Sequence, residues 1–256
     1  MKKLLILFLV LLTALSVPAG LAEAPEAVPD FTVTTIDGET LTLFELLEEK
    51  DLVLLNIFTS WCPPCKSEFP MLEAVYEQYA DRMAVIAVSD EPDDTVEILD
   101  DYRNDMGLTF DVARMEGTGI RDFVSIMGYP TSLFIAKGGN VGYFQLGAFL
   151  AYPQLTGVVE HMLSEGYDGS RVTFYGVFCE DEDQNPVEGA TVAFCTDTFC
   201  EPVTSDENGM ILYFAAPGEY HLQLLQAPEG YRLDGELDFT TDSDGGWLLI
   251  PFARAE

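Results

Sequence analysis

Leu54-Leu-Asn-Ile-Phe-Thr-Ser-Trp-Cys-Pro-Pro-Cys-Lys-Ser-Glu-Phe-Pro70 is the stretch on which the fold of this chain turns. Its first part belongs to the run Leu52 to Phe58, which is nearly continuous in apolar residues, as a central strand covered on both faces requires. Its last part opens a helix, because Phe69, Leu72, Val75, Tyr76 and Tyr79 recur at helical spacing. A second buried strand, Ala84 to Val88, follows. Strand, helix and strand make a parallel unit with a crossover, and Cys62 and Cys65 fall at the seam where strand gives way to helix.

Two cysteines at such a seam have a specific use. The first sulfur meets unpaired backbone N–H groups and the positive end of the helix dipole, which favour a thiolate over a thiol. In thioredoxin this setting lowers the cysteine pKa from about 8.5 to about 7. Cys62 is therefore expected to be the nucleophile. Cys65, one turn inside and more buried, would attack the mixed disulfide and release the product. A zinc site would need further ligands at comparable spacing, and neither His161 nor His221 sits in such a cluster, so no metal is expected. An inert structural bridge fits less well, since so short a loop gains little from closure.

Outward from this centre, Phe31 to Leu43 alternates around Asp37-Gly38 as a short hairpin. Asp94 to Asp105 reads as a solvated acidic helix, Thr109 to Val112 as a short extended piece, and Ile120 to Met127 as helical. After Tyr129-Pro130-Thr131, the pieces Ser132 to Ala136 and Val141 to Gln145 form a hairpin about Lys137-Gly-Gly-Asn140. Leu155 to Leu163 closes this part as a helix with Val158, Val159 and Met162 on its apolar face. Gly166 to Ser170 reads as a linker. From Arg171 the rhythm changes to short alternating strands: Val172 to Phe178, Ala190 to Cys195, Ile211 to Phe214, Tyr220 to Leu225 and Trp247 to Phe252. A small antiparallel sandwich is expected there.

At 256 residues the chain exceeds what one average core holds, and two domains are expected. The 44 acidic against 12 basic side chains give a net charge of -32, which repels nucleic acid and anionic membrane surfaces. Residues 1–24 read as an export signal: Lys2 and Lys3, an apolar run from Leu4 to Leu15, and a small-residue site at Ala22-Glu23-Ala24. Cleavage after Ala24 would give a secreted protein. An uncleaved signal would anchor it, since the stretch through Leu21 approaches the roughly 17 residues that just span a bilayer. No cysteine precedes Cys62, so a lipobox is lacking. The expected location is extracytoplasmic, where disulfides persist and the five cysteines need an explanation.

The quoted stretch, followed much later by Gly128-Tyr-Pro-Thr131, resembles thioredoxin-like thiol-disulfide oxidoreductases of the TlpA/ResA type over residues 28–165. The resemblance implies an α/β thioredoxin-like fold, a central mixed sheet flanked by helices. It implies that Pro130 is cis and faces the disulfide, that the backbone of Tyr129 pairs with an extended substrate peptide, and that Thr131 flanks the cysteines. Trp61 is expected to pack against the site rim. Where thioredoxin carries a buried aspartate, this chain has Asn56, which cannot take up a proton. The resemblance nominates Glu68 instead, although Glu68 is equally accounted for as a favourable anion in the first turns of a helix. Family members are mostly reductants fed by a membrane thiol carrier, so protein disulfides are the implied substrates. No cofactor is implied beyond the Cys62–Cys65 disulfide.

Residues 171–256, with Pro186-Val-Glu-Gly-Ala-Thr-Val192, Thr204-Ser-Asp-Glu-Asn-Gly209 and Pro217-Gly-Glu-Tyr-His-Leu222, resemble prealbumin-like domains of the Cna B or SpaA type. Those often carry a Lys–Asn isopeptide bond, but no lysine follows Lys137, so no such cross-link forms within this domain. Cys195 and Cys200 flank Thr-Asp-Thr-Phe and are expected to close a structural disulfide, with Cys179 left over. A pairing of Cys179 with either of them stays open, as does electron shuttling with Cys62 and Cys65. The acidic run Glu180 to Asp183 lacks the spaced ligands of a calcium loop. Two rival functions also stand: a thioredoxin-fold peroxidase, against which Leu55 occupies the place of a required proline, and a surface binding protein in which the sandwich carries the main function.

Overall fold

The computed structural model describes residues 25–255 other than 235, 236, 238, 243 and 244. The expected export segment, residues 1–24, lies outside the described residues, among which no helix is long and apolar enough to cross a membrane.

The hairpin of β1 (Thr32–Thr34) and β2 (Thr40–Thr42) turns at Asp37-Gly38. It runs into α1 (Leu43–Glu49), a helix of about two turns, too short for its periodicity to stand out in the sequence. Then come β3 (Leu52–Phe58), α2 (Pro63–Tyr79), β4 (Met83–Ser89), α3 (Val96–Met106), β5 (Asp111–Arg114), β6 (Thr131–Ala136), β7 (Val141–Leu146) and α4 (Tyr152–Met162). The sheet order is β5-β4-β3-β6-β7, with β3, β4 and β5 parallel and β6 and β7 antiparallel to their neighbours.

Alternation along the fully buried β3 sorts its side chains to two sides. Leu52, Leu54 and Phe58 join Phe69, Leu72 and Val75 of α2 in one cluster. Val53, Leu55 and Ile57 join Leu43 and Leu47 of α1 in the other. Each such buried side chain contributes about 1.5–3 kcal/mol, which is why β3 anchors the sheet. By the same alternation Asn56 lies on the α2 side.

Three local expectations need correction. The acidic helix begins at Val96, capped by Thr95, whose Oγ1 accepts from Ile98 N at 3.2 Å. Asp94 thus precedes the helix, and it is buried. The short extended piece lies two residues further on than expected, as β5. The helix expected over Ile120 to Met127 shrinks to one 3-10 turn, Ile120–Asp122. Ile120 and Val124 are both buried, so two core positions four apart mimic a helical stripe without a helix to carry it.

The C-terminal part contains β8 (Thr173–Asp181), β9 (Thr191–Cys195), β10 (Cys200–Thr204), β11 (Met210–Ala215), β12 (His221–Gln226), β13 (Tyr231–Leu233) and β14 (Gly246–Arg254). Sheets β10-β9-β12 and β11-β8-β14-β13 enclose a core that includes Tyr175, Val177, Val192, Phe194, Ile211 and Tyr213. The sandwich is not purely antiparallel, because β14 runs parallel to β8. Alternation reports which face a residue occupies and is blind to strand direction, so this pairing has no local signal.

The two parts are packed together. Val172 and Phe174 share an apolar cluster with Val158 and Met162 of α4, and a Cβ at Gly157 would stand 2.3 Å from the ring of Phe214. The Gly166 to Ser170 stretch is docked too: Val172 N donates to Gly142 O at 2.7 Å, and a Cβ at Gly142 would meet the Tyr167 hydroxyl at 2.1 Å.

Candidate active site

Cys62 is the N-cap of α2, with extended backbone angles, and Pro63 supplies the first helical position. Proline suits that position because its missing N–H would have had no helical partner. The Cys62 Sγ accepts from Cys65 N at 3.2 Å, so the sulfur sits where a capping oxygen normally would. Cys62 and Cys65 are joined in a disulfide with Cα atoms 5.4 Å apart. Both residues are buried, Cys62 at 2% exposure and Cys65 at 0%.

Behind the disulfide lies a buried polar cluster. Glu68 is three residues beyond Cys65, on the same face of α2, and is wholly buried. Asn56 Nδ2 donates to Glu68 Oε2 at 3.1 Å and to Ser132 Oγ at 2.9 Å. The amide of Phe149 donates to Glu68 Oε1 at 3.0 Å. Burial pushes the carboxyl up to about 7, against the opposing pull of those two hydrogen bonds. Desolvation disfavours the charged form more than two neutral donors favour it. A helix-surface anion would be exposed, whereas Glu68 is wholly buried.

The loop before Cys62 is fixed from behind. Asp94 accepts from Ser60 N at 3.0 Å, from Ser60 Oγ at 2.5 Å and from Ser89 Oγ. The rim is tied in the same way. Trp61 is 59% exposed, meets the ring of Tyr129 edge-on with centroids 5.9 Å apart, and donates from Nε1 to Glu91 at 2.6 Å. The Tyr129 hydroxyl donates to Asp90 at 2.7 Å, and its pKa is pushed up to about 12, first by burial and then by that carboxylate. Arg121 pairs with the same Asp90 at 2.6 Å. The Tyr129–Pro130 peptide is cis. Thr131, fully buried, donates from Oγ1 to Gly128 O at 2.8 Å and stands opposite Ile57 of β3.

The structure thus joins Cys62 with Cys65, Trp61 with Tyr129, and Glu68 with Asn56. Four further residues at the site carry no sequence signal of their role: Asp90, Glu91, Asp94 and the backbone of Phe149. The run Asp90-Glu-Pro-Asp-Asp94 has the composition of a solvated turn, and only its distant partners reveal that two of its carboxylates are buried. In the C-terminal part, Cys195 and Cys200 form a disulfide, and Cys179 is a free, buried thiol whose pKa burial pushes up to about 11. Among the described residues no group of histidine, cysteine and carboxylate side chains is placed to hold a metal ion.

Comparison with known proteins bears on both parts. A profile of the AhpC/TSA family matches residues 25–144, and a prealbumin-like fold domain profile, SpaA, matches residues 179–249. The thioredoxin-like protein YneN of Bacillus subtilis (strain 168) is 31% identical over 129 residues, covering 50% of this chain and 74% of that protein. The thiol-disulfide oxidoreductase ResA of Halalkalibacterium halodurans is 32% identical over 149 residues, covering 57% of this chain and 76% of the relative. A crystal structure of StoA from Bacillus subtilis aligns over 53% of this chain and 100% of its own length, at 25% identity and a TM-score of 0.44. With a disulfide closed at the head of α2 and likeness over three quarters of such a relative, the chain belongs to the thioredoxin-like thiol-disulfide oxidoreductases of the ResA kind and carries a prealbumin-like domain behind it.

Proposed function

We propose that this protein reduces disulfides of other proteins outside the cytoplasm, by dithiol-disulfide exchange through Cys62-Pro63-Pro64-Cys65. The observation that carries the reading is the Cys62 sulfur in the capping position of α2, receiving the Cys65 amide at 3.2 Å. Reduction of the bond leaves a Cys62 thiolate facing that N–H and the end of the helix dipole, and both lower its energy. The thiolate attacks one sulfur of a substrate disulfide, and the other sulfur leaves and takes up a proton. Cys65 then loses its proton and attacks Cys62, which frees the second substrate thiol and restores the Cys62–Cys65 bond.

Glu68 serves the second step. A carboxyl that titrates near 7 can accept the Cys65 proton at neutral pH and return it when the pair is next reduced. The substrate backbone docks along Tyr129, beside Pro130 and Thr131, with Trp61 closing the rim. Residues 1–24 direct export, and a membrane thiol carrier resupplies electrons. Residues 28–165 form the redox domain, 166–170 the connection and 171–256 the sandwich.

Insulin reduction in the presence of dithiothreitol tests this directly. The wild type accelerates precipitation of the insulin B chain, and Cys62→Ser removes the acceleration. Equal rates would overturn the proposal. Peroxide consumption dependent on Cys62 and a thiol donor would favour the peroxidase instead.

A further inference from the structure

The second disulfide lies in a row of side chains that a structural staple does not need. Cys200, Cys195 and His221 are direct cross-strand partners over β10, β9 and β12, and His221 is in turn bridged to Thr240. Directly opposed residues of antiparallel strands project from the same face, with Cβ atoms about 4.5–5.5 Å apart. Val192 and Phe194 of β9 point into the sandwich core, so Cys195, one residue beyond Phe194, projects to the other face. The disulfide and the imidazole are therefore neighbours on the outer face of this sheet.

Access is unequal along the row. Cys195 is 3% exposed, whereas Cys200 and His221 are both exposed. An incoming thiolate thus has Cys200 to attack and Cys195 to displace. Thr240 Oγ1 lies 2.9 Å from His221 Nδ1, which leaves Nε2 for proton exchange. Cys179 takes no part, since it lies inside the sandwich core with its thiol held protonated by burial.

We propose that Cys195–Cys200 is a second thiol-exchange site, separate from Cys62–Cys65, at which a dithiol donor attacks Cys200 while His221 delivers the proton to the departing Cys195 sulfur. The first attack breaks the Cys195–Cys200 bond and forms a donor–Cys200 mixed disulfide. The donor's second thiolate then attacks its own mixed-disulfide sulfur, leaving the donor oxidised and Cys195 and Cys200 as two thiols. Two electrons move from donor to protein, and the two protons lost by the donor match the two gained by Cys195 and Cys200.

The test uses the full chain with Cys62→Ser and Cys65→Ser, so that the outcome does not depend on the first site. The oxidised variant is mixed with dithiothreitol at pH 7, quenched with acid, alkylated and digested, and Cys195 and Cys200 are quantified by mass spectrometry. The oxidised peptide Thr191–Thr204 is the reference for an unprotected disulfide. The expected rate in the folded protein is within about ten-fold of the peptide rate, with tyrosine fluorescence unchanged before and after. A slower rate, or reduction only once urea unfolds the chain, overturns the proposal and leaves a staple. His221→Gln in the same background is expected to slow reduction several-fold near neutral pH with its circular dichroism unchanged, and an unaltered rate overturns the assignment to histidine.

Discussion

Cys62–Cys65 and Cys195–Cys200 are both local bridges, three and five positions apart in sequence, yet the backbone around them offers opposite things. At the head of α2 the first amides have no helical acceptor, and one of them points at a sulfur. In the β9–β10 ladder the bridge spans two paired strands, with no helix end behind either sulfur. The main chain of a helix end helps charge on sulfur at the first bridge, whereas a side chain, His221, stands beside the second. A cysteine pair takes its chemistry from the unsatisfied groups near it, more than from the length of the loop it closes.

The strongest way to break this contrast is to remove one bridge at a time and assay insulin reduction. Cys62→Ser is expected to bring the rate down to that of dithiothreitol alone, because the attacking sulfur is gone. Cys195→Ser with Cys200→Ser is expected to leave the rate within about two-fold. A comparable loss in both would show the two sites working as one.

Glu68→Gln sharpens the electrostatic side. The carboxyl titrates at about 7 in the folded protein against 4.5 ordinarily, so folding favours the protonated form. Its neutral form is fully compatible with the fold below pH 4.5, and stability is lost as pH rises through 7. At pH 8 the penalty amounts to about 3 kcal/mol. Urea midpoints of the wild type are therefore expected to fall more steeply between pH 4.5 and 8 than those of Glu68→Gln. Parallel pH profiles would mean that burial does not raise the Glu68 carboxyl.

Smaller effects follow at the second bridge and at the contact between the two parts. Opening Cys195–Cys200 by double serine substitution is expected to cost about 2 kcal/mol of unfolding free energy, the loop-closure contribution for so short a ring. Gly157→Ala drives a methyl into the ring of Phe214 and is expected to cost about 1–2 kcal/mol by overpacking. Calorimetry of that variant should show a lowered transition, and an unchanged one would mean that the two parts do not depend on this contact.

Much of the redox half could be read from local pattern because its elements obey local rules. The period-two alternation of Leu52 to Phe58 not only marks a strand but puts Asn56 on the side where Glu68 arrives, so half of the buried polar pair was legible. The other half was not, since the amide that completes the Glu68 environment belongs to Phe149, 81 positions away. Asp94 illustrates the same limit. An acidic run next to a helix start has the look of solvent-facing chain, and its burial depends on Ser60 and Ser89 closing over it. The parallel contact of β14 with β8 was hidden for a different reason, because strand order is set by the route of the chain between the two strands.

The clasp of Asp94 on Ser60 has a consequence for motion. The Ser60 amide is bound to a carboxyl group with 3% residue exposure, and breaking that bond would cost a buried acceptor one of its three donors. In hydrogen–deuterium exchange this amide should be among the last of any loop position to be labelled, opening only when the edge of the sheet itself opens. The turn that presents the nucleophile would then behave as part of the scaffold, and the mobile partner in the reaction would be the incoming peptide.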